Sequence, residues 1–139
     1  MSDSGDTTTG TTTNSTTEKP NIAALAERLT SIVGKENVYL DEPMSAHTTF
    51  AVGGPADIYV VPDTLSRVRV IIDACREFMC DYFIIGRGSD LLVSDAGYRG
   101  VIIGMADALD DLMVEGERII AQAGVTLFDA AEMACALSL

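Results

Sequence analysis

Residues 84–100 read IIGRGSDLLVSDAGYRG. Two glycines, an arginine and a serine stand between the apolar runs Phe83-Ile84-Ile85 and Leu91-Leu92-Val93. A plain turn needs less. Gly86 and Gly88 let the backbone turn and come close to a ligand without Cβ clashes. Successive N–H groups then form a concave nest for an anion. Ser89 adds a hydroxyl donor, and Arg87 adds charge. The stretch is not the dinucleotide fingerprint G-x-G-x-x-G. Leu91 takes the place of the third glycine, and Ser94-Asp95 closes the apolar run before a helix could form. It also lacks the Gly-Lys-Ser/Thr of a Walker A loop. A tight strand-to-strand connection with positive φ at both glycines accounts for the same residues, so the loop alone leaves two readings open.

Outward from this loop, composition sets the frame. The chain has 139 residues and a formal charge of −12. Its first twenty residues hold eight Thr and one apolar residue, Met1. Such a stretch buries too little apolar surface to offset the entropy of ordering it, so 1–20 is expected to be a disordered tail. The remaining 119 residues, 139 − 20, suffice for one domain. No basic region precedes an apolar run, and no apolar stretch reaches the about 20 residues of a membrane span. The tail is poor in Arg, unlike a transit peptide. These features point to a cytoplasmic protein with no membrane partner. Clustered Lys and Arg are what hold nucleic acid. Lys occurs only at 19 and 35, so no nucleic-acid partner is expected. Any anionic ligand must be held locally. Cys75, Cys80 and Cys135 are odd in number and match no common metal spacing. Cys75 and Cys135 fall on apolar helix faces and read as small buried hydrophobes.

Asn21 caps a helix whose apolar residues are Ile22, Leu25, Leu29, Ile32 and Val33, with Gly34 as terminator. Val38 to Leu40, His47 to Val52 and Ala56 to Val61 read as strands, the second broken by Gly53-Gly54-Pro55. Asp63 or Thr64 caps a helix with one apolar face, Leu65, Val68, Ile71, Ile72, Cys75, Phe78 and Met79. Tyr82 to Ile85 reads as a short buried strand, Ser94 to Gly97 as a turn, and Val101 to Ile103 as a strand. Leu112 to Glu115 and Arg118 to Gln122 flank Gly116 in a hairpin pattern. Thr126 and Asp129 have capping-box spacing ahead of a last helix. Strands outnumber helices and the final sheet section is antiparallel, so the fold class is α+β. The last helix carries apolar Leu137 and Leu139 with no stop signal. From this a C-terminally incomplete domain is expected.

Other side chains with chemical potential have plainer accounts. His47, the only histidine, sits beside two Thr at a strand start and reads as structural rather than as a general base. Asp107, Asp110, Asp111, Glu115 and Glu117 fit no EF-hand spacing and read as a solvated face, so no metal is expected. Tyr98 and Arg99 suit either a ligand contact or a surface turn.

GRGSDLLVSDAGYRGVII, from Gly86, resembles the diphosphate-binding loop of the UDP-N-acetylenolpyruvoylglucosamine reductase family. HTTFAVGGPADIYVVP, from His47, is similar to that family's opening strands, and the helix from Leu65 to Phe78 follows in order. VEGERIIAQAGVTLFDAAEMA, from Val114, is similar to its hairpin, Ala-Gly turn and next helix. The resemblance covers about Val38 to Leu139. It implies an FAD-binding domain of the vanillyl-alcohol-oxidase type over 21–139, with two small α+β subdomains and FAD between them. By position, Gly86, Arg87, Gly88, Ser89, Asp90 and Leu91 would line the pyrophosphate. Val52, Gly53, Gly54, Ala123 and Gly124 would lie near the cofactor. Asp90 departs from the family's usual Asn, and its carboxylate next to a diphosphate needs an offsetting charge or amide. The family reduces UDP-N-acetylglucosamine enolpyruvate with NADPH through FAD, towards peptidoglycan. Its serine proton donor and its arginine and glutamate belong to motifs expected after Leu139, so no catalytic residue is expected in 1–139, and this segment alone should be inactive. A non-catalytic nucleotide-binding module of the same fold is the alternative. An FAD oxidase with covalent flavin is a third reading, but His47 does not stand where such a linkage is expected.

Overall fold

The computed structural model describes residues 19–88, 91–106 and 108–138. The expected tail lies outside the described residues up to Glu18, as do Ser89, Asp90, Asp107 and Leu139. Helix α1 (Ile22–Val33) leads through a 3-10 turn to β1 (Val38–Pro43), then a second 3-10 turn and β2 (Pro55–Val60). Helix α2 (Leu65–Glu77), β3 (Tyr82–Ile85) and β4 (Tyr98–Gly104) follow. The hairpin β5 (Leu112–Glu115) and β6 (Arg118–Ala121) and helix α3 (Leu127–Ala136) end the described chain.

Four strands form one sheet in the order β1-β2-β4-β3. β1 is antiparallel to β2, while β2 and β3 both run parallel to β4. The parallel pairings were not legible from strand count. They explain the unbroken Val101-Ile102-Ile103 run, since a central parallel strand is covered on both faces. All three residues are buried. On one face, Leu25 and Leu29 of α1 and Ile71 and Cys75 of α2 pack on Ile58, Val60, Val101 and Ile103. On the other, Met44, Ala56, Tyr59, Ile85 and Ile102 form a second cluster, with Leu91, Val93 and Tyr98 at its margin.

Local signals place the helix ends. Asn21 Oδ1 accepts from Ala24 N–H at 3.1 Å, and Thr64 Oγ1 from Arg67 N–H at 3.2 Å. Thr126 Oγ1 accepts from Asp129 N–H at 3.0 Å, but its hydroxyl donates to the Asp129 carboxylate at 2.6 Å. The shorter Asp closes the capping box through side chains, where a longer Glu would reach back to the backbone.

Several expectations fail for physical reasons. Residues 47–52 are not a strand: the 47–54 segment is irregular. Thr48 Oγ1 donates to Val52 O at 3.0 Å, Ala51 N–H bonds Thr48 O, and Ala51 has φ 53. A hydroxyl that offers the backbone a local turn competes with ladder pairing. β3 is not buried throughout, because as an edge strand it leaves Phe83 and Ile84 exposed. Cys135 is exposed, and α3 has no buried residue. Met79 leaves the α2 face altogether. The helix ends in a Schellman motif, with Cys80 N–H on Cys75 O at 2.9 Å and Met79 N–H on Arg76 O at 3.0 Å. Met79 holds the left-handed position at φ 50 and is 77 % exposed.

Met79→Gly is therefore expected to raise stability by about 1 kcal/mol, because a non-glycine residue in that conformation costs about 1–2 kcal/mol and few contacts are lost. Urea unfolding reads this as a higher midpoint at unchanged slope, and a lower midpoint would contradict it. Burial, then the neighbouring Cys80, pushes the Cys75 thiol from its ordinary 9.0 up to about 12. Between those values the folded chain holds a proton that the unfolded chain releases, so this contribution is whole below pH 9 and is lost as pH rises towards 12. The fall in urea midpoint over that window is expected to be shallower in Cys75→Ala than in the unmodified chain.

Candidate nucleotide-binding cleft

Because β3 and β4 are parallel neighbours, the chain leaving β3 at Ile85 must travel back along the sheet to enter β4 at Tyr98. A helix usually makes that crossover. Here residues 86–97 make it, and those described contain no helix or strand. Without ladder bonds of its own, the crossover is held by contacts at its ends. Gly86 lies so close to the Ala123-Gly124 turn that a Cβ there would sit 2.8 Å from Ala123 O. Arg87 Nε donates to Gly124 O at 3.0 Å, across 37 positions of sequence. Gly124 N–H in turn bonds Leu109 O at 2.7 Å. Gly88, at φ +66, is pressed against the His47 carbonyl, and Thr49 N–H donates to Gly88 O at 3.3 Å. Leu91 anchors the far side in the second core cluster.

These contacts leave a cleft of about 380 Å³ between the 47–49 segment and the start of the crossover. His47, Thr48, Thr49, Tyr59, Gly86 and Arg87 line it, with Ala46 and Ala106 at its edges. None of the described lining residues is acidic, in a chain with 21 Asp and Glu. A second pocket of about 370 Å³ differs in kind, since Asp57 and Asp81 line it alongside Lys19 and Arg99. The first cleft offers hydroxyls, backbone and the Arg87 guanidinium, a donor set suited to an anion.

His47 is held on two sides. Its Nε2 lies 2.9 Å from Glu42 Oε1, and its ring stacks on Tyr59 with centroids 3.9 Å apart. It stands at the end of a 3-10 turn, with its N–H on Met44 O, and not at a strand start.

The structure thus brings Gly86, Arg87 and Gly88 together with Ala123 and Gly124. Leu91 lies behind them. Val52, Gly53 and Gly54 do not line the cleft: Val52 is exposed, and Gly54 N–H bonds Ser94 O at 2.9 Å on the returning limb of the crossover. Ser89 and Asp90 lie outside the described residues. Arg99 ties β4 to β2, through Pro55 O at 2.9 Å and Asp57 at 3.0 Å. Tyr98 packs in the second cluster, and burial, then Asp81, holds its phenol above the ordinary range. Among the described residues no group of three or more His, Cys, Asp or Glu is arranged to hold a metal ion. Sequence reading missed the lining roles of Thr48, Thr49 and Tyr59, because a His-Thr-Thr-Phe run scores as a strand. The available signal was the hydroxyl pair beside Gly53-Gly54, a turn composition.

The sequence profile of a family described as "FAD binding domain" matches residues 56–136. The chain belongs to that family. Within the FAD binding domain family, a UDP-N-acetylenolpyruvoylglucosamine reductase of Clostridium botulinum (strain Hall) is 53 % identical over 96 residues, covering 69 % of this chain and 31 % of the relative. One from Alkaliphilus metalliredigens is 40 % identical over 103 residues, covering 74 % and 34 %. The chain thus spans about a third of the length of the curated relatives it matches. Two solved structures share its fold at 14 % identity. They are p-cresol methylhydroxylase with substrate bound (TM-score 0.62, 84 % of this chain and 25 % of that one) and 4-ethylphenol oxidase from Gulosibacter chungangensis (0.66, 86 % and 26 %). The α+β fold is that of the vanillyl-alcohol-oxidase flavoproteins, as the loop and its neighbours had suggested.

The packing of Gly88 makes a differential prediction. At Gly116, with φ +61, an added Cβ would meet nothing within 4 Å, whereas at Gly88 it would meet the His47 carbonyl. Both alanine variants carry the left-handed cost of about 1–2 kcal/mol. Gly88→Ala should lower the urea midpoint clearly more than Gly116→Ala, and equal losses would show that the 47–49 wall yields freely.

Proposed function

We propose that this chain is the FAD-holding part of a UDP-N-acetylenolpyruvoylglucosamine reductase, which reduces UDP-N-acetylglucosamine enolpyruvate to UDP-N-acetylmuramate with NADPH in the cytoplasm. The observation that carries the reading is the cleft at the start of the crossover, whose described lining residues include Arg87 and none that is acidic, in a chain whose relatives bear that name. The cleft's donors fit a diphosphate. Arg87, fixed through Nε on Gly124 O, keeps its terminal nitrogens for the anion. Gly86 and Gly88 bring backbone close, Thr49 supplies a hydroxyl, and Ser89 supplies another by its place in the loop. Ala123 and Gly124 back the loop, and Leu91 anchors it. By its place in the loop, Asp90 adds a negative charge that Arg87 or a loop amide must offset. Val52, Gly53 and Gly54 brace the returning limb next to the cofactor. When bound, FAD supplies hydride acceptance and donation. This chain's residues bind and orient it, and the groups that handle the substrate's proton and charge belong to other parts of the protein.

Purified protein supplemented with FAD is expected to retain the flavin absorbance after gel filtration. Ser89→Ala removes a charge-assisted bond worth about 1.5–3 kcal/mol, weakening FAD binding roughly ten- to hundredfold. Unchanged affinity would remove Ser89 from the site. An NADPH-oxidation assay with UDP-N-acetylglucosamine enolpyruvate, run on residues 1–139 and on a full-length relative side by side, tests the division of labour. Turnover only by the relative is expected. Substrate-dependent turnover by 1–139 at a similar rate would contradict the proposal, and a chain that binds FAD but complements no reductase would favour a non-catalytic module.

A further inference from the structure

We propose that Cys75 and Cys80 form an oxidation site, at which hydrogen peroxide converts two buried thiols into a disulfide that pins the end of α2 to the start of β3. The flavin reading does not require this pair, and the two stand or fall separately.

The backbone sets the geometry. In the Schellman motif that ends α2, Cys75 is the third helical residue from the end and Cys80 the second residue past the cap at Phe78. These are the two positions whose side chains that motif brings into contact. Cys80 N–H bonds Cys75 O at 2.9 Å. The path through this bond is bent at the nitrogen and at the carbonyl carbon. The two Cα atoms therefore lie about 5–6 Å apart, inside the about 4.4–6.8 Å that a disulfide spans. Both residues are free thiols in the same core cluster, and Cys80 is near enough to raise the Cys75 thiol. The third cysteine, Cys135, is exposed on α3.

The same turn is the weak point of the helix. Met79 holds a left-handed conformation that is unfavourable for any residue with a Cβ, and its side chain is exposed. Met79 and Asp81, on either side of Cys80, line the second pocket. Opening of this turn exposes both sulfurs to that pocket. Burial, then Asp57 and Asp81, holds the Cys80 thiol above its ordinary value. Thiolate is therefore scarce, and the pair rests reduced until an oxidant is present.

The chemistry has two steps. The Cys80 sulfur attacks one peroxide oxygen, the O–O bond breaks, water leaves and a sulfenic acid remains. The Cys75 sulfur then attacks the Cys80 sulfur, the S–O bond breaks and a second water leaves. The two thiols give up two electrons and two protons, and one peroxide becomes two waters. A long contact from the Cys80 thiol to Asp81 O, 3.5 Å, is given up. In return the strained turn is closed covalently. Asp81 O accepts from Val101 N–H at 2.9 Å, so the closed turn also fixes where β3 meets β4.

The test uses the whole chain carrying Cys135→Ser, treated with hydrogen peroxide, alkylated and digested with trypsin. Arg76 lies between the two cysteines, so the disulfide joins peptides 70–76 and 77–87. The joined species is expected from the folded chain and should vanish on treatment with dithiothreitol. The oxidised chain should show a higher urea midpoint than the reduced one. Cys80→Ala, with Cys75→Ala as a second variant, should give neither the joined species nor the gain in midpoint. Absence of the joined species from a peroxide-treated chain that circular dichroism shows to be folded would overturn the proposal. So would a joined species with a lowered urea midpoint, since the native turn would then not fit the bond.

Discussion

Two parallel strands joined without a helix govern this fold. β3 and β4 are neighbours in register from Tyr82↔Val101 to Ile85↔Gly104, so residues 86–97 must cross the sheet end to end. A helical crossover would satisfy its own backbone and cover the sheet. This one bonds to itself only in local turns, as at Gly97 N–H to Ser94 O, covers the sheet with Leu91 and Val93, and takes its other partners from distant segments. The 47–49 wall takes Gly88, the Ala123-Gly124 turn takes Gly86 and Arg87, and Gly54 takes Ser94. The glycines sit where the backbones touch. On the proposed reading, what would be a structural cost elsewhere becomes a cradle, because a strand end whose backbone is not consumed by helix or ladder keeps amides for a ligand.

Electrostatics and topology then point the same way. With so few cations, this chain suits a negative ligand best where acidic side chains are kept away. Among the described residues, the cleft by the crossover is lined by Arg87 and by no acidic side chain, whereas Asp57 and Asp81 line the second pocket. Arg87 is the hinge of the arrangement. Its Nε bond to Gly124 O locks the guanidinium to the second sheet region, so the orientation of the positive charge depends on the hairpin β5–β6 leading correctly into the Ala-Gly turn.

Much of this was legible beforehand, and what was missed has physical causes. Caps at Asn21, Thr64 and Thr126 are local chemistry, and each appears as read. The hairpin around Gly116 is local too. The Gly86–Gly88 loop stood out because two glycines, an arginine and a serine are more than a plain turn needs, and the ordered neighbouring stretches decided between its two readings. Pairing direction was hidden, because whether β2, β3 and β4 run parallel is decided by contacts between segments tens of residues apart. The 47–52 segment misled because Thr and Phe favour strands in general, while here the Thr48 hydroxyl closes a turn. Cys135 looked buried by helical periodicity, but α3 leaves Leu127 87 % and Phe128 73 % exposed. Periodicity shows that a face is apolar, and says nothing about whether anything covers it.

The central claim is that the crossover, the 47–49 wall and the Ala123-Gly124 turn form one anion-binding unit. Amide chemical-shift mapping by heteronuclear NMR, with FAD titrated into the isotope-labelled chain, addresses it directly. The amides of residues 47–49, 86–88 and 123–124 should shift together, saturating with a single dissociation constant. Shifts concentrated around Asp57, Asp81 and Arg99, with those three segments unmoved, would contradict it.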